Sequence, residues 1–229
     1  MRRGLVAFCA VLSLAAVAAP AVRAADIPET WDHLVKVKSK ALRAVYLLPG
    51  ADFKPYTKVM LDEPEAAFRK NWLRDYNRTT ARGLSGRLTE QDAEKALAQV
   101  TAGLKSVFTK AYTEAGYQVV TAPGADVIRI RTAVIDLTVN APDIQTAGRS
   151  RSYAPEAGSA TLILEARDSE SGAILGRAVD GKVIGDMGSM MMRRSSVSNR
   201  ADFEQVFKAW AKASVKGLST LKSTAAPTA

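Results

Sequence analysis

Val127-Ile128-Arg129-Ile130-Arg131-Thr132-Ala133-Val134-Ile135-Asp136-Leu137-Thr138-Val139 begins by alternating Ile128 and Ile130 with Arg129 and Arg131. That is the period of a strand with one buried face. Beyond Ala133 the apolar positions move to Ile135, Leu137 and Val139. Side chains alternate across a strand, so a change of phase without a turn implies a bulge, or a strand buried on both faces.

Downstream, a loop with Gly, Ser and Pro covers residues 140–158. A hairpin follows, with arms at 161–167 and 173–182 joined by Asp168-Ser169-Glu170-Ser171-Gly172. A second loop, 185–199, leads to a final helix expected to be capped by Ser198 or Asn199. Its inner stripe is Phe203, Val206, Phe207, Trp210, Ser214, Gly217, Leu218 and Leu221, and residues 223–229 read as a frayed, disordered tail. Upstream, Thr89 opens a helix in which Ala93, Ala96, Leu97, Val100, Leu104, Val107, Phe108, Ala111 and Tyr112 recur at three- and four-residue steps. Gly116 is its terminator, and residues 117–120 return to strand.

Nearer the N-terminus the pattern is weaker. Residues 25–43 read as a polar arm anchored by Trp31. Residues 44–48 read as a short strand ended by Pro49-Gly50, and residues 57–62 as a half-buried one, with Pro64 placing it at an edge or stopping it. Phe68, Trp72, Leu73 and Tyr76 fit either a further strand or a short helix. Strands in this order with two long helices predict an α+β fold: a mostly antiparallel sheet with both helices packed on one face. Residues 25–222 are expected to form a single domain with an N-terminal arm.

The first 24 residues have the layout of an export signal. Met1-Arg2-Arg3 is basic, residues 5–19 are apolar, and Val22-Arg23-Ala24 offers small residues for cleavage after Ala24. The apolar run is shorter than the ~20 residues that span a bilayer. Phe8 precedes Cys9 where a lipoprotein signal needs a small residue, and Cys9 comes early in the run. Cleavage would leave no cysteine, excluding disulfides and thiolate chemistry and suiting a bacterial periplasm. It would also leave 29 Lys and Arg against 23 Asp and Glu, a net +6 in place of +9. At 47% hydrophobic and 24% charged residues the chain is neither disordered nor a multi-pass membrane protein.

Pro-Gly-Ala-Asp occurs at 49–52 and again at 123–126, each time ahead of an alternating strand, as turn chemistry would have it or as an internal duplication. With Tyr56-Thr57-Lys58-Val59-Met60-Leu61-Asp62, Glu165-Ala166-Arg167-Asp168, Ser171-Gly172 and Val179-Asp180, the sequence resembles the family known as domain of unknown function 3313. The resemblance runs from about Trp31 to Leu221. It implies an exported, periplasmic or outer-membrane-associated protein of Gram-negative bacteria, and it carries over no catalytic or ligand residue. Many members look lipidated; the missing lipobox here departs from that pattern.

Residue chemistry points away from catalysis. The one histidine, His33, lies in the arm, and no Gly-x-Ser-x-Gly elbow is present. Ser219-Thr220-Leu221-Lys222 fits Ser-x-x-Lys only at a fraying helix end. No zinc, calcium or P-loop spacing occurs, and no cofactor or metal is expected. Two features stand out. Met187, Met190, Met191 and Met192 cluster in one loop, suited to partner contact or, less strongly, to Cu(I). Arg149, Arg151, Arg193 and Arg194, with neighbouring serines, fall in two loops that an antiparallel sheet brings to one end, a rim suited to anionic groups. The expectation is therefore a non-catalytic envelope binding or adaptor protein. Its partner would be an envelope protein or an anionic envelope component, not nucleic acid, with at most peripheral membrane association. The alternatives are a hydrolase assembling distant carboxylates and a Met-loop copper protein.

Overall fold

The computed structural model describes residues 28–79, 87–140, 152–154, 156–186, 188, 190, 192–194 and 196–223. The expected export signal at 1–24, with Cys9, and the expected tail from 224 lie outside them. In chain order the elements are β1 (Thr30–Trp31), β2 (Leu34–Val37), β3 (Ala44–Leu47), β4 (Lys58–Leu61), β5 (Glu65–Phe68), α1 (Trp72–Thr79), α2 (Glu90–Glu114) and β6 (Gln118–Val120). There follow β7 (Val127–Val139), β8 (Ser152–Ala154), β9 (Gly158–Asp168), β10 (Ile174–Ile184), β11 (Met192–Arg194) and α3 (Ser196–Ser223).

Among the described residues, nine strands form one sheet in the order β1-β2-β3-β10-β9-β7-β4-β6, with β5 also on β7. From β1 to β7 every pairing is antiparallel, while β4 and β5 run parallel to β7 and β6 parallel to β4. The fold is α+β, with α2 and α3 sharing one core on one side of the sheet. Buried Leu104, Phe108 and Tyr112 of α2 meet Phe203, Phe207, Trp210 and Leu218 of α3 over Ile130, Val134, Leu162 and Ala178 of the sheet. Each large side chain buried there contributes ~1.5–3 kcal/mol.

The change of phase in β7 is a bulge. Ile135 faces Thr161 and Thr138 faces Ser159, three steps along β7 against two along β9. On the other flank Ala66 faces Val134 and Phe68 faces Leu137, again three against two. Burial switches accordingly, from Ile128, Ile130 and Val134 to Leu137. Within the bulge Asp136 has φ 51°, the left-handed region that Asp tolerates and β-branched residues do not. Asp136→Gly should change stability by less than about 0.5 kcal/mol, whereas Asp136→Val should lower it by about 1–3 kcal/mol. Urea unfolding midpoints measure both; equal effects would mean that the backbone does not set this residue.

α2 begins with a reciprocal cap: Asp92 N–H donates to Thr89 Oγ1 at 3.1 Å and Thr89 N–H to Asp92 Oδ2 at 2.9 Å. α3 starts at Ser196, earlier than a cap at Ser198 or Asn199 allows. Asn199, inside the helix and buried, donates its side-chain amide to the Asn140 carbonyl at 2.7 Å.

The N-terminal segment is not an irregular arm. Trp31 pairs with Leu34 and Thr30 with Val35, leaving a two-residue turn at Asp32 and His33 with φ 52° and 66°. Positive φ at both centres is what a tight hairpin requires. Trp31 anchors the hairpin, edge-on to Tyr46 at 5.9 Å. Both readings of Phe68 to Tyr76 hold in part: Phe68 ends β5, while Trp72 and Tyr76 sit on α1. Trp72 stacks on Phe68 at 3.9 Å. β4 is interior, between β6 and β7, so of the two readings of Pro64 the edge does not hold, while the strand does stop ahead of it, at Leu61.

Candidate functional site

The 140–158 and 185–199 segments, expected as loops, each contain a short strand, and the two strands pair. Met192 faces Ala154, Arg193 faces Tyr153 and Arg194 faces Ser152, antiparallel. Beside this ribbon the ends of the long strands are tied together. Asn140 N–H donates to the Ala157 carbonyl at 2.8 Å, and Ala157 N–H to that of Ile184 at 2.7 Å. The two segments therefore leave the sheet at one end, and α3 starts there, two residues after Arg194. Arg193, Arg194 and Met192 lie on β11. Arg149, Arg151, Met187 and Met191 fall outside the described residues, although Arg151 directly precedes β8 in sequence. Met190 is exposed at 62%.

Other residues singled out in the sequence have structural placements. His33 is an exposed turn residue. Ser219 is exposed near the end of α3, while Lys222 donates to the Tyr56 carbonyl at 2.6 Å. The two Pro-Gly-Ala-Asp turns differ: Gly50 has φ 77°, whereas Gly124 has no positive φ and instead exchanges two hydrogen bonds with the Ser169 hydroxyl. Among the described residues no group of three or more His, Cys, Asp or Glu could hold a metal ion, and no helix is long and apolar enough to cross a membrane.

The carboxylates of the recurring motifs are committed to protein donors. Asp62 receives Arg129 Nε at 2.7 Å, and Asp126 receives the Thr57 hydroxyl at 2.7 Å. Asp168 binds Ser171 N–H and the Tyr56 hydroxyl at 2.7 and 2.9 Å; the Ser171 bonds above all hold its pKa below the usual carboxylate range. Buried Asp180 accepts the Trp210 indole N–H at 2.8 Å and Arg43 N–H at 3.1 Å.

Glu165 is the hub of an ion-pair network on β9 and β10. Arg177 Nε and Nη2 reach its Oε1 at 2.9 and 2.7 Å, and Arg167 Nη2 reaches Oε2 at 2.6 Å. Arg177 also binds Asp32 at 2.7 Å and lies 4.2 Å above the Trp31 ring, so it ties the N-terminal hairpin to the sheet. Burial pushes the Glu165 pKa up, but the two arginines outweigh it and hold the carboxyl below its ordinary value.

Sequence reading missed one concave feature. A cavity of about 350 Å³ opens between α3, the 37–45 segment and the helix side of the sheet. Its wall is mainly aliphatic, from Leu42, Val45, Leu47, Ile130, Leu164 and Leu218, with Lys38, Lys40 and Lys216 also lining it. The Ser39 hydroxyl folds the 37–45 segment over one end by accepting Leu42 N–H at 3.2 Å. Periodicity had marked Leu218 and Leu221 as inward-facing; that they border open space is a property of neighbours distant in sequence.

The architecture is thus an α+β sheet carrying two long helices on one side, with a paired ribbon at one end. Residues 24–214 match the family described as "Protein of unknown function (DUF3313)", and the chain belongs to that family. No curated protein matches the chain significantly. Solved structures similar to it include a protein of Xanthomonas campestris from the family DUF330, at 15% identity and TM-score 0.39, covering 76% of this chain and 88% of that one. A minor lipoprotein of Acinetobacter baumannii matches at 11% and 0.36, covering 76% and 98%. The PelC dodecamer of Paraburkholderia phytofirmans matches at 13% and 0.33, covering 72% and 94%.

Proposed function

We propose that the protein is an exported, non-catalytic binding or adaptor protein of the bacterial envelope, recognising an anionic envelope component or partner protein through the ribbon end of the sheet. One observation carries the reading: β8 and β11 pair, which brings the two arginine-bearing segments together. On this reading the charge comes from Arg193 and Arg194 of β11 together with Arg149 and Arg151, which precede β8 in sequence, and adaptable apolar contact comes from Met187, Met190, Met191 and Met192, which precede or begin β11 in sequence.

The test is a four-residue variant, Arg149→Ala, Arg151→Ala, Arg193→Ala and Arg194→Ala. Its binding to immobilised envelope extract should be roughly tenfold weaker at low salt, with the difference shrinking at high salt. Binding equal to wild type at both salt levels would overturn the reading.

A further inference from the structure

We infer that the cavity between α3 and the sheet is a second binding site, taking the alkyl tail of a single-chain carboxylate while the lysines at its edge hold the head. The site is built from residues apart from the ribbon and stands whether or not the ribbon binds anything.

The volume, about 350 Å³, lies at the lower end of the ~300–1,000 Å³ range of small-ligand pockets. Its lining contains no Asp or Glu, so no carboxylate within the wall repels an anion. Lys38, Lys40 and Lys216 are exposed, and among the described residues none has a carboxylate within ion-pair distance. Flexible ammonium groups at the edge of an aliphatic wall match an amphiphile with one negative charge at the end of a chain.

Gly217 is the second observation. It lines the cavity from within α3, where glycine costs a helix about 1 kcal/mol relative to alanine. A Cβ built on it meets nothing within 4 Å, so no neighbouring atom demands a glycine. Gly217 is exposed, so it borders the open side of the cavity, where a larger side chain has room to enter.

The probe is n-dodecanoate below its micelle concentration, titrated calorimetrically into the full chain, with dodecyltrimethylammonium as the same tail on a cationic head. Dodecanoate should bind saturably, one per chain, and at least tenfold more tightly than the cation. Gly217→Phe should fill the wall and weaken dodecanoate binding at least tenfold while unfolding remains cooperative. If that variant fails to fold, Ala213→Leu on the same wall gives the same reading. A triple variant, Lys38→Ala, Lys40→Ala and Lys216→Ala, should weaken dodecanoate roughly tenfold and leave the cation unaffected or tighter. Equal affinity for the two heads would overturn the role of the lysines. Unchanged affinity in both wall variants would overturn the site, as would the absence of saturable dodecanoate binding to the wild-type chain.

Discussion

Gly158→Ala should lower the unfolding free energy by about 3 kcal/mol or more, among the largest effects of any one-carbon change in this chain. Gly158 faces Val139 where β9 begins, just past the bulge. A Cβ built there overlaps the Thr138 carbonyl oxygen and lies 3.0 Å from its carbon and 3.2 Å from Val139 Cα. All three obstacles are backbone, so no rotamer change relieves the overlap, and β7 and β9 have to part. Parting them strains the neighbouring Asn140–Ala157 and Ala157–Ile184 hydrogen bonds that hold the ribbon end together. Gly124→Ala is the control: its Cβ makes only a 3.4 Å contact with the Val127 side chain, and it should cost less than about 1 kcal/mol. Urea unfolding of both variants gives the comparison. A Gly158→Ala midpoint as high as that of Gly124→Ala would show that the strand end yields freely.

Glu165→Ala should cost about 3–5 kcal/mol, because it strips the main partner from an Arg177 side chain that is only 7% exposed. The loss comes from stranding a charge more than from the worth of the pair. The double variant Glu165→Leu with Arg177→Met should therefore recover much of it. The pH dependence has a definite sign. The folded-state pKa of Glu165 is lowered from the ordinary 4.5, so its contribution is complete above that value and lost as pH falls through the lower, folded value. Wild-type stability should decline below about pH 4.5, and Glu165→Gln should be less stable at neutral pH but lose less on acidification. Parallel stability–pH curves for the two proteins would exclude Glu165 as the group responsible.

What could be read from sequence was whatever depends on local period. The bulge was visible because one extra residue exchanges the two faces of β7, and α2 was visible because its stripe, its Thr89 start and its Gly116 end agree. The β1–β2 hairpin was hidden because its turn uses Asp32 and His33 in place of the Asn-Gly or Gly-rich pairs that usually announce positive φ. The parallel placement of β4, β5 and β6 was hidden for another reason: parallel neighbours are joined by long crossovers, and strands of three or four residues carry no mark of direction. At the candidate site, the antiparallel order of β7, β9 and β10 was enough to bring both arginine loops to one end. The pairing of β8 with β11, three residues each, was too short to see. The cavity lay beyond sequence altogether, since Leu42, Leu164 and Leu218 read as ordinary core positions.

The insertion of β10 between β3 and β9 has a consequence for how the chain matures. Ala44 finds its partner at Val179, so the β1–β2–β3 unit has no place in the rest of the sheet until most of the polypeptide exists. Nascent chains should stay open during synthesis and close late, in one concerted event, at the millisecond-to-second pace of topologies dominated by distant contacts. A polypeptide halted before residue 174 would carry α1, α2 and the β7–β9 pair but lack β10 and α3, leaving its beginning unanchored and exposed to proteases.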